Sequence, residues 1–304
     1  MEIGRAAAIW RGGVGPSHVL RAGDPIGEGS GPAFVERALL GPLQTALPGY
    51  EVRTDLSVTG RFANAEWRAT SGHLLGVWTA PLFGLPATER LAFLRFGCFE
   101  RMESEEAAET LLLLDLASLI RQAGLWPLAD PPGPDVMAPP PLAIAGNAAE
   151  SLGLVEAMIG GLMRFDGRDL ASMGMRDFWT PHFSWFGPAA IGSFRGHADY
   201  ERGHQRPFLT AFPDRVGGNH RARIAEGALV ASTGWPSIRA THIGDGWLGL
   251  PATGRAVTMR VMDFWRAEGG RLAENWVMID VPHLLTQMGV DLLALARAKG
   301  GQDG

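Results

Sequence analysis

GLPATGRAVTMRVMDFWRAEGGRLAENWVMIDVPHLLTQMG, residues 249–289, decides the fold, because residues 84–124, GLPATERLAFLRFGCFERMESEEAAETLLLLDLASLIRQAG, are an imperfect copy of it. The offset is constant at 249 − 84 = 165, and 16 of the 41 aligned positions are identical without a gap. Arg95/Arg260, Phe99/Phe264, Glu109/Glu274, Asp115/Asp280 and Gln122/Gln287 are among them. Self-similarity over such a length marks a duplicated structural unit.

Within the repeat, residues 257–266 and 272–279 are rich in Val, Met, Phe and Trp and flank Glu268-Gly269-Gly270, which predicts a β-hairpin. Strand alternation puts Met259, Val261, Asp263 and Trp265 on one face and Arg260, Met262, Phe264 and Arg266 on the other. A short helix then opens at Pro282-His283-Leu284-Leu285, where proline suits the first turn. Asp115 and Asp280 stand just before the two copies of that helix, as N-caps do. Glu109 and Glu274, which follow the hairpin turn in both copies, read as structural or solvated.

Working outward, residues 1–31 are glycine-rich and carry little structural signal beyond a short apolar piece at 6–10. Helical spacing covers 33–47, and strands are expected over 51–59 and 65–72. The proline-dense stretch PLADPPGPDVMAPPPLAIAG at 127–146 reads as an interdomain linker. Helices are expected over 148–165 and 169–178, followed by an aromatic strand, a helix ending at Pro213-Asp214, and strands over 219–233 and 237–242. The expected organisation is a pared-down domain over 1–128, a linker over 129–146 and a fuller domain over 147–304.

A formal charge of −5 over 304 residues offers no basic stripe for nucleic acid or an anionic membrane. No apolar run is long enough to span a bilayer, and the opening residues lack the charged and apolar regions of an export signal, so a soluble cytoplasmic protein is expected. The lone cysteine, Cys98, cannot form an internal disulfide. The lone lysine, Lys299, lies in a glycine-rich tail and is poorly placed for Schiff-base chemistry. The histidines show none of the short spacings that mark metal sites, so neither a metal nor an organic cofactor is expected.

The run Thr241-His242-Ile243-Gly244, then Gly249-Leu250-Pro251-Ala252-Thr253-Gly254-Arg255, Arg266 through Glu274, Asp280 and Leu285-x-Gln287-x-Gly289 resembles the SnoaL-like polyketide cyclases of the nuclear transport factor two superfamily. The resemblance implies an α+β fold: two tandem cone-shaped barrels, each a curved, mostly antiparallel sheet with helices closing a pocket. It also implies cyclase, isomerase, hydratase or lyase chemistry without a cofactor on a small carbonyl-bearing or polyketide-like substrate. The other open reading is a non-catalytic small-molecule-binding or scaffolding protein. The two repeats are expected to pair within the chain, and a homodimer is possible on top of that. The family's catalytic Asp position falls on Val277 and its His position on Asp263; in the first copy these are Leu112 and Cys98.

Asp263 is the sharpest catalytic candidate, since a carboxylate among Met, Val and Trp is desolvated toward a useful acid/base pKa, unless an arginine such as Arg223 holds it as a structural ion pair. His242 is the second, as a strand histidine able to shuttle protons or satisfied within the sheet. Trp179, His182, Trp185, Trp235, Trp247 and Trp265 are candidates for an aromatic pocket lining, with ordinary core packing as the competing account. Arg223 can hold a developing oxyanion and Asn275 can supply a neutral donor.

Overall fold

The computed structural model describes residues 7–11, 14–104, 106–141, 145–217 and 219–301. The expected apolar piece at 6–10 thus loses its first residue from description. The chain divides into two compact units, 1–127 together with 280–304, and 128–279. The C-terminal segment thereby clusters with the first half, whereas the repeat seen in the sequence runs on from the second.

The first unit carries β1 (Val14–Ala22), β2 (Glu28–Ser30), β3 (Glu51–Phe62), β4 (Ala65–Val77), β5 (Leu91–Glu103) and β6 (Glu106–Leu114). The second carries β7 (Trp179–Phe186), β8 (Ser193–Arg195), β9 (Ala222–Glu226), β10 (Leu229–Thr241), β11 (Ala256–Glu268) and β12 (Arg271–Ile279). Their orders are β2-β1-β6-β5-β4-β3 and β8-β7-β12-β11-β10-β9, the same topology twice. In each sheet one pair is parallel, β1 with β6 and β7 with β12, and the others are antiparallel. Both sheets are open, ending on edge strands rather than closing as barrels.

The predicted hairpin is β11–β12, and both aspartates cap as expected: Asp115 accepts from Ser118 N at 3.1 Å and Asp280 from His283 N at 3.3 Å. Elsewhere the local structure departs from the sequence reading. The glycine-rich opening supplies β1 and β2, with Val19 and Leu20 drawn into the sheet by their partners Ser30, Gly29, Glu109 and Thr110. The helix expected over 169–178 is split into Leu170–Met173 and Met175–Phe178 by Gly174, which adopts left-handed φ 65. The strands expected over 219–233 and 237–242 are a β9–β10 hairpin, turning at Gly227, whose second strand continues through a bulge between Gly234 and Ile238. A Cβ on Gly234 would lie 2.2 Å from the Asn219 carbonyl, so the bulge needs glycine. The proline-dense stretch lies along the second unit: the Pro134 carbonyl accepts from Ser193 N at 3.0 Å and the Ala138 carbonyl from Trp276 Nε1 at 2.8 Å.

The interiors of the two sheets differ. In the first unit Ile9 is fully buried, its N–H donates to Glu100 Oε1 at 3.2 Å, and Trp10 lies edge-on to Phe96 at 5.1 Å. Glu100 occupies the position equivalent to Trp265 and is held by Arg68 at 2.8 Å. The short helical turn at Ala8–Arg11 therefore packs where the second unit keeps a cavity. No helix among the described residues is long and apolar enough to cross a membrane.

Candidate functional site

The register of the second sheet lines up Arg223 on β9, Ser232 on β10, Asp263 on β11 and Val277 on β12 as one row. The adjacent row places Trp265 on β11 opposite Asn275 on β12, which in turn pairs with Trp185 on β7. Two-residue alternation then turns Met259, Val261, Asp263 and Trp265 toward the same side, where all four line a cavity of about 220 Å³. The helix Ala148–Leu162, capped by Asn147, contributes Met158, Ile159 and Leu162 to the cavity wall. The continuous helix over 196–211 contributes Tyr200, His204 and Phe208, whose spacing of four puts them on one stripe.

Asp263 is only partly accessible and lines this cavity. Its one described hydrogen bond is from Asn275 Nδ2 to Oδ1 at 3.3 Å, and the same Nδ2 also donates to the Phe264 carbonyl at 3.1 Å. No arginine lies within 4.0 Å of the carboxylate among the described residues. Desolvation pushes its pKa up to about 7, against smaller lowering effects from the Asn275 bond and the charge of Arg223. Arg223 instead reaches Ser232 Oγ at 3.4 Å, His220 Nδ1 at 3.2 Å and Glu156 at 3.5 Å, and burial lowers its own pKa.

Tyr200 borders Phe183, Trp185 and His204 with ring centroids 5.4–5.5 Å away. Burial, followed by the nearby charge of Asp263, holds its phenol well above the ordinary tyrosine range, so it is a neutral O–H donor. His204 is sandwiched between Trp185, stacked at 4.3 Å and 17°, and Phe208 at 5.5 Å and 29°. Burial alone pushes its pKa down to about 3, which leaves a neutral imidazole at physiological pH. The cavity thus combines a carboxylate, neutral donors and flat aromatic walls with two arginines, Arg215 and Arg223, in its lining.

Of the residues singled out in the sequence, Asp263, Trp179, Trp185, Arg223, Trp265 and Asn275 line this one cavity. His242, His182, Trp235 and Trp247 do not. His242 is fully buried beside Thr253 Oγ1 at 3.2 Å and Phe212 at 5.3 Å, and Trp247 packs edge-on to the same Phe212 at 5.2 Å. Trp235 lies under the Arg260 guanidinium at 4.5 Å, and His182 is exposed on β7. His204 is a cavity residue that the search for metal spacings passes over; the four-residue spacing of Tyr200, His204, Phe208 and Phe212 was the available signal. The cluster with metal-ligand spacing among the described residues is Asp24, Asp280 and His283, in the first unit and apart from the cavity.

These features define an α+β protein whose second unit encloses an aromatic-lined cavity. Residues 165–288 match the SnoaL-like polyketide cyclase family model. Similar solved structures include AclR of Streptomyces galilaeus, at 25% identity over 47% of this chain and 87% of that one, with a TM-score of 0.38. IdmH of Streptomyces antibioticus is similar at 25% identity over 45% and 99%, TM-score 0.35. A SnoaL-like protein of Jannaschia sp. CCS1 is similar at 20% identity over 47% and 94%, TM-score 0.37. No curated protein matches the chain.

Proposed function

We propose that the second unit is a cofactor-independent general acid/base catalyst acting on a small, flat, carbonyl-bearing molecule, with Asp263 as the group that moves the proton. The observation that carries this reading is an arginine-free carboxylate facing an apolar cavity, with its pKa raised to about 7 by desolvation. Val277 and Asp263 are direct cross-strand partners, and such partners have Cβ atoms about 5 Å apart. A carboxylate at 263 therefore addresses nearly the same space as one at 277. The reaction consistent with these groups is removal of a proton next to a carbonyl, a step common to cyclisation, isomerisation and elimination.

The test is hydrogen–deuterium exchange at the activated carbon of 2-tetralone, followed by NMR in D2O. Wild-type protein is expected to accelerate the exchange, with a rate that rises with pH through about 7 as Asp263 ionises. The other charged or titratable groups sharing the cavity are His197, Tyr200, His204, Arg215, His220 and Arg223. Asp263→Asn should lower the rate by about 10²- to 10⁴-fold, the usual contribution of general acid/base catalysis. The apolar Val277 favours a second reading, a pocket that binds without turnover. Binding of 2-tetralone with exchange no faster than in Asp263→Asn would select that reading.

A further inference from the structure

An enolate formed by Asp263 needs a donor for its oxygen, and the wall carrying His204 offers one. His204 has no hydrogen-bond partner at Nδ1 among the described residues, and that atom is buried within the stack of Trp185 and Phe208. Nε2 is not among the buried unpartnered atoms, and His204 lines the cavity. A neutral imidazole carries one N–H, and a buried donor without an acceptor is rarer and costlier than an under-used acceptor. The proton is therefore favoured on Nε2, where a ligand oxygen can accept it. Stacking on Trp185 and Phe208 holds the ring in this orientation.

We infer that His204 is a catalytic hydrogen-bond donor, presenting Nε2–H to the substrate carbonyl oxygen while Asp263 takes the proton from the adjacent carbon. This rests on the acid/base reading of Asp263. The C–H bond breaks, its proton goes to the Asp263 carboxylate, and the electron pair moves into the carbonyl to give an enolate. The enolate oxygen keeps the His204 hydrogen bond. Return of the proton from Asp263 to carbon or to a new site completes the cycle with no net oxidation. A neutral donor suits this step better than an imidazolium, because it keeps its proton throughout and adds no charge that would pair with Asp263 in the resting site. Burial of the ring, which holds its pKa near 3, keeps it in this form.

The experiment has two arms. In the first, long-range ¹H–¹⁵N correlation on ¹⁵N-histidine-labelled protein, assigned with His204→Gln, reads the tautomer directly at pH 5.5 and 8. The expected result is a neutral Nε2–H ring at both pH values; an imidazolium at pH 5.5 or an Nδ1–H tautomer overturns the inference. In the second arm, 2-tetralone exchange is compared in His204→Phe, which keeps a flat ring without a donor, and in His204→Gln, whose amide N–H₂ can replace Nε2–H. His204→Phe should lose about 10²-fold or more in kcat with little change in KM, as for other oxyanion donors, and His204→Gln should recover most of it. Equal rates in wild type and His204→Phe overturn the inference. A normal tautomer with exchange that is indifferent to Asp263→Asn overturns the reading of Asp263 instead, and wild type no faster than buffer overturns both.

Discussion

Asp263→Asn should stabilise the protein at high pH while removing its chemistry. An aspartate whose pKa rises from the ordinary 3.8 to about 7 on folding binds its proton more tightly in the folded state than in the unfolded one. Below about pH 3.8 both states are protonated and the residue has no effect. Between about pH 4 and 7 the unfolded state ionises while the folded state does not, so stability falls as pH rises, and above about 7 the loss is complete. At about 1.4 kcal/mol per unit the full loss approaches about 4 kcal/mol, an upper figure because the carboxylate touches a cavity that can admit water. Asparagine preserves the shape and can still accept from Asn275, but it carries no charge to desolvate. The variant should therefore gain about 2–3 kcal/mol relative to wild type between pH 5 and pH 8. His204 adds an opposite slope in wild type, because its lowered pKa makes the folded state resist protonation as pH falls below 6.5. Comparing the two proteins cancels that contribution. Urea unfolding followed by tryptophan fluorescence at both pH values measures the difference. Equal midpoints for variant and wild type at pH 8 would show that the carboxylate is well solvated and refute the argument.

Glu100→Gln in the first unit removes the anion from a buried pair and leaves Arg68 without its counter-charge, so it should cost about 3 kcal/mol in thermal or urea unfolding. It should leave 2-tetralone exchange unchanged, since the proposed chemistry lies in the other unit. Gly234→Ala forces a Cβ against the Asn219 carbonyl and Ser237 Cα, both backbone atoms, and should cost about 2 kcal/mol or more. Its effect should appear in unfolding as well as in 2-tetralone affinity, because the bulge carries Gly234 and Ser237 on the cavity wall.

The parts of the fold legible in the sequence are those set by local period. Alternation along residues 257–266 needs no tertiary information, and it placed Met259, Val261, Asp263 and Trp265 together because β11 pairs on both sides with no change of face between Val261 and Trp265. The constant offset of 165 similarly anticipates a duplicated topology. Other features depend on partners remote in sequence. Val19 and Leu20 pair with β2 on one side and with β6, some ninety residues away, on the other. His242 and Trp247 are aromatic and lie near the repeat, yet Phe212 gathers them into a cluster of their own. His204 sits in a polar-looking segment, Glu201 through Arg206, and only the stacking on Trp185 reveals that its ring faces inward. Burial and electrostatics, the properties that matter for chemistry, are sums over such remote neighbours, so composition and spacing alone could not rank His204 above His242.

The two copies within one chain provide an internal comparison of what the fold requires. The row Ser57, Thr70, Cys98 and Leu112 in the first sheet corresponds to Arg223, Ser232, Asp263 and Val277 in the second. In the first copy the central position is a fully buried cysteine, whose thiol pKa is raised by desolvation, and Ile9 and Trp10 pack into the interior. That arrangement shows that the topology forms without a carboxylate at this seat. An aspartate there is unfavourable for folding at neutral pH, and no arginine within ion-pair reach relieves it. A local arrangement that works against stability, in the lining of a cavity, has no structural justification and fits a chemical one. Asp263 on the sheet and His204 on the helix line one cavity, so a ligand there meets a carboxylate and a neutral imidazole together.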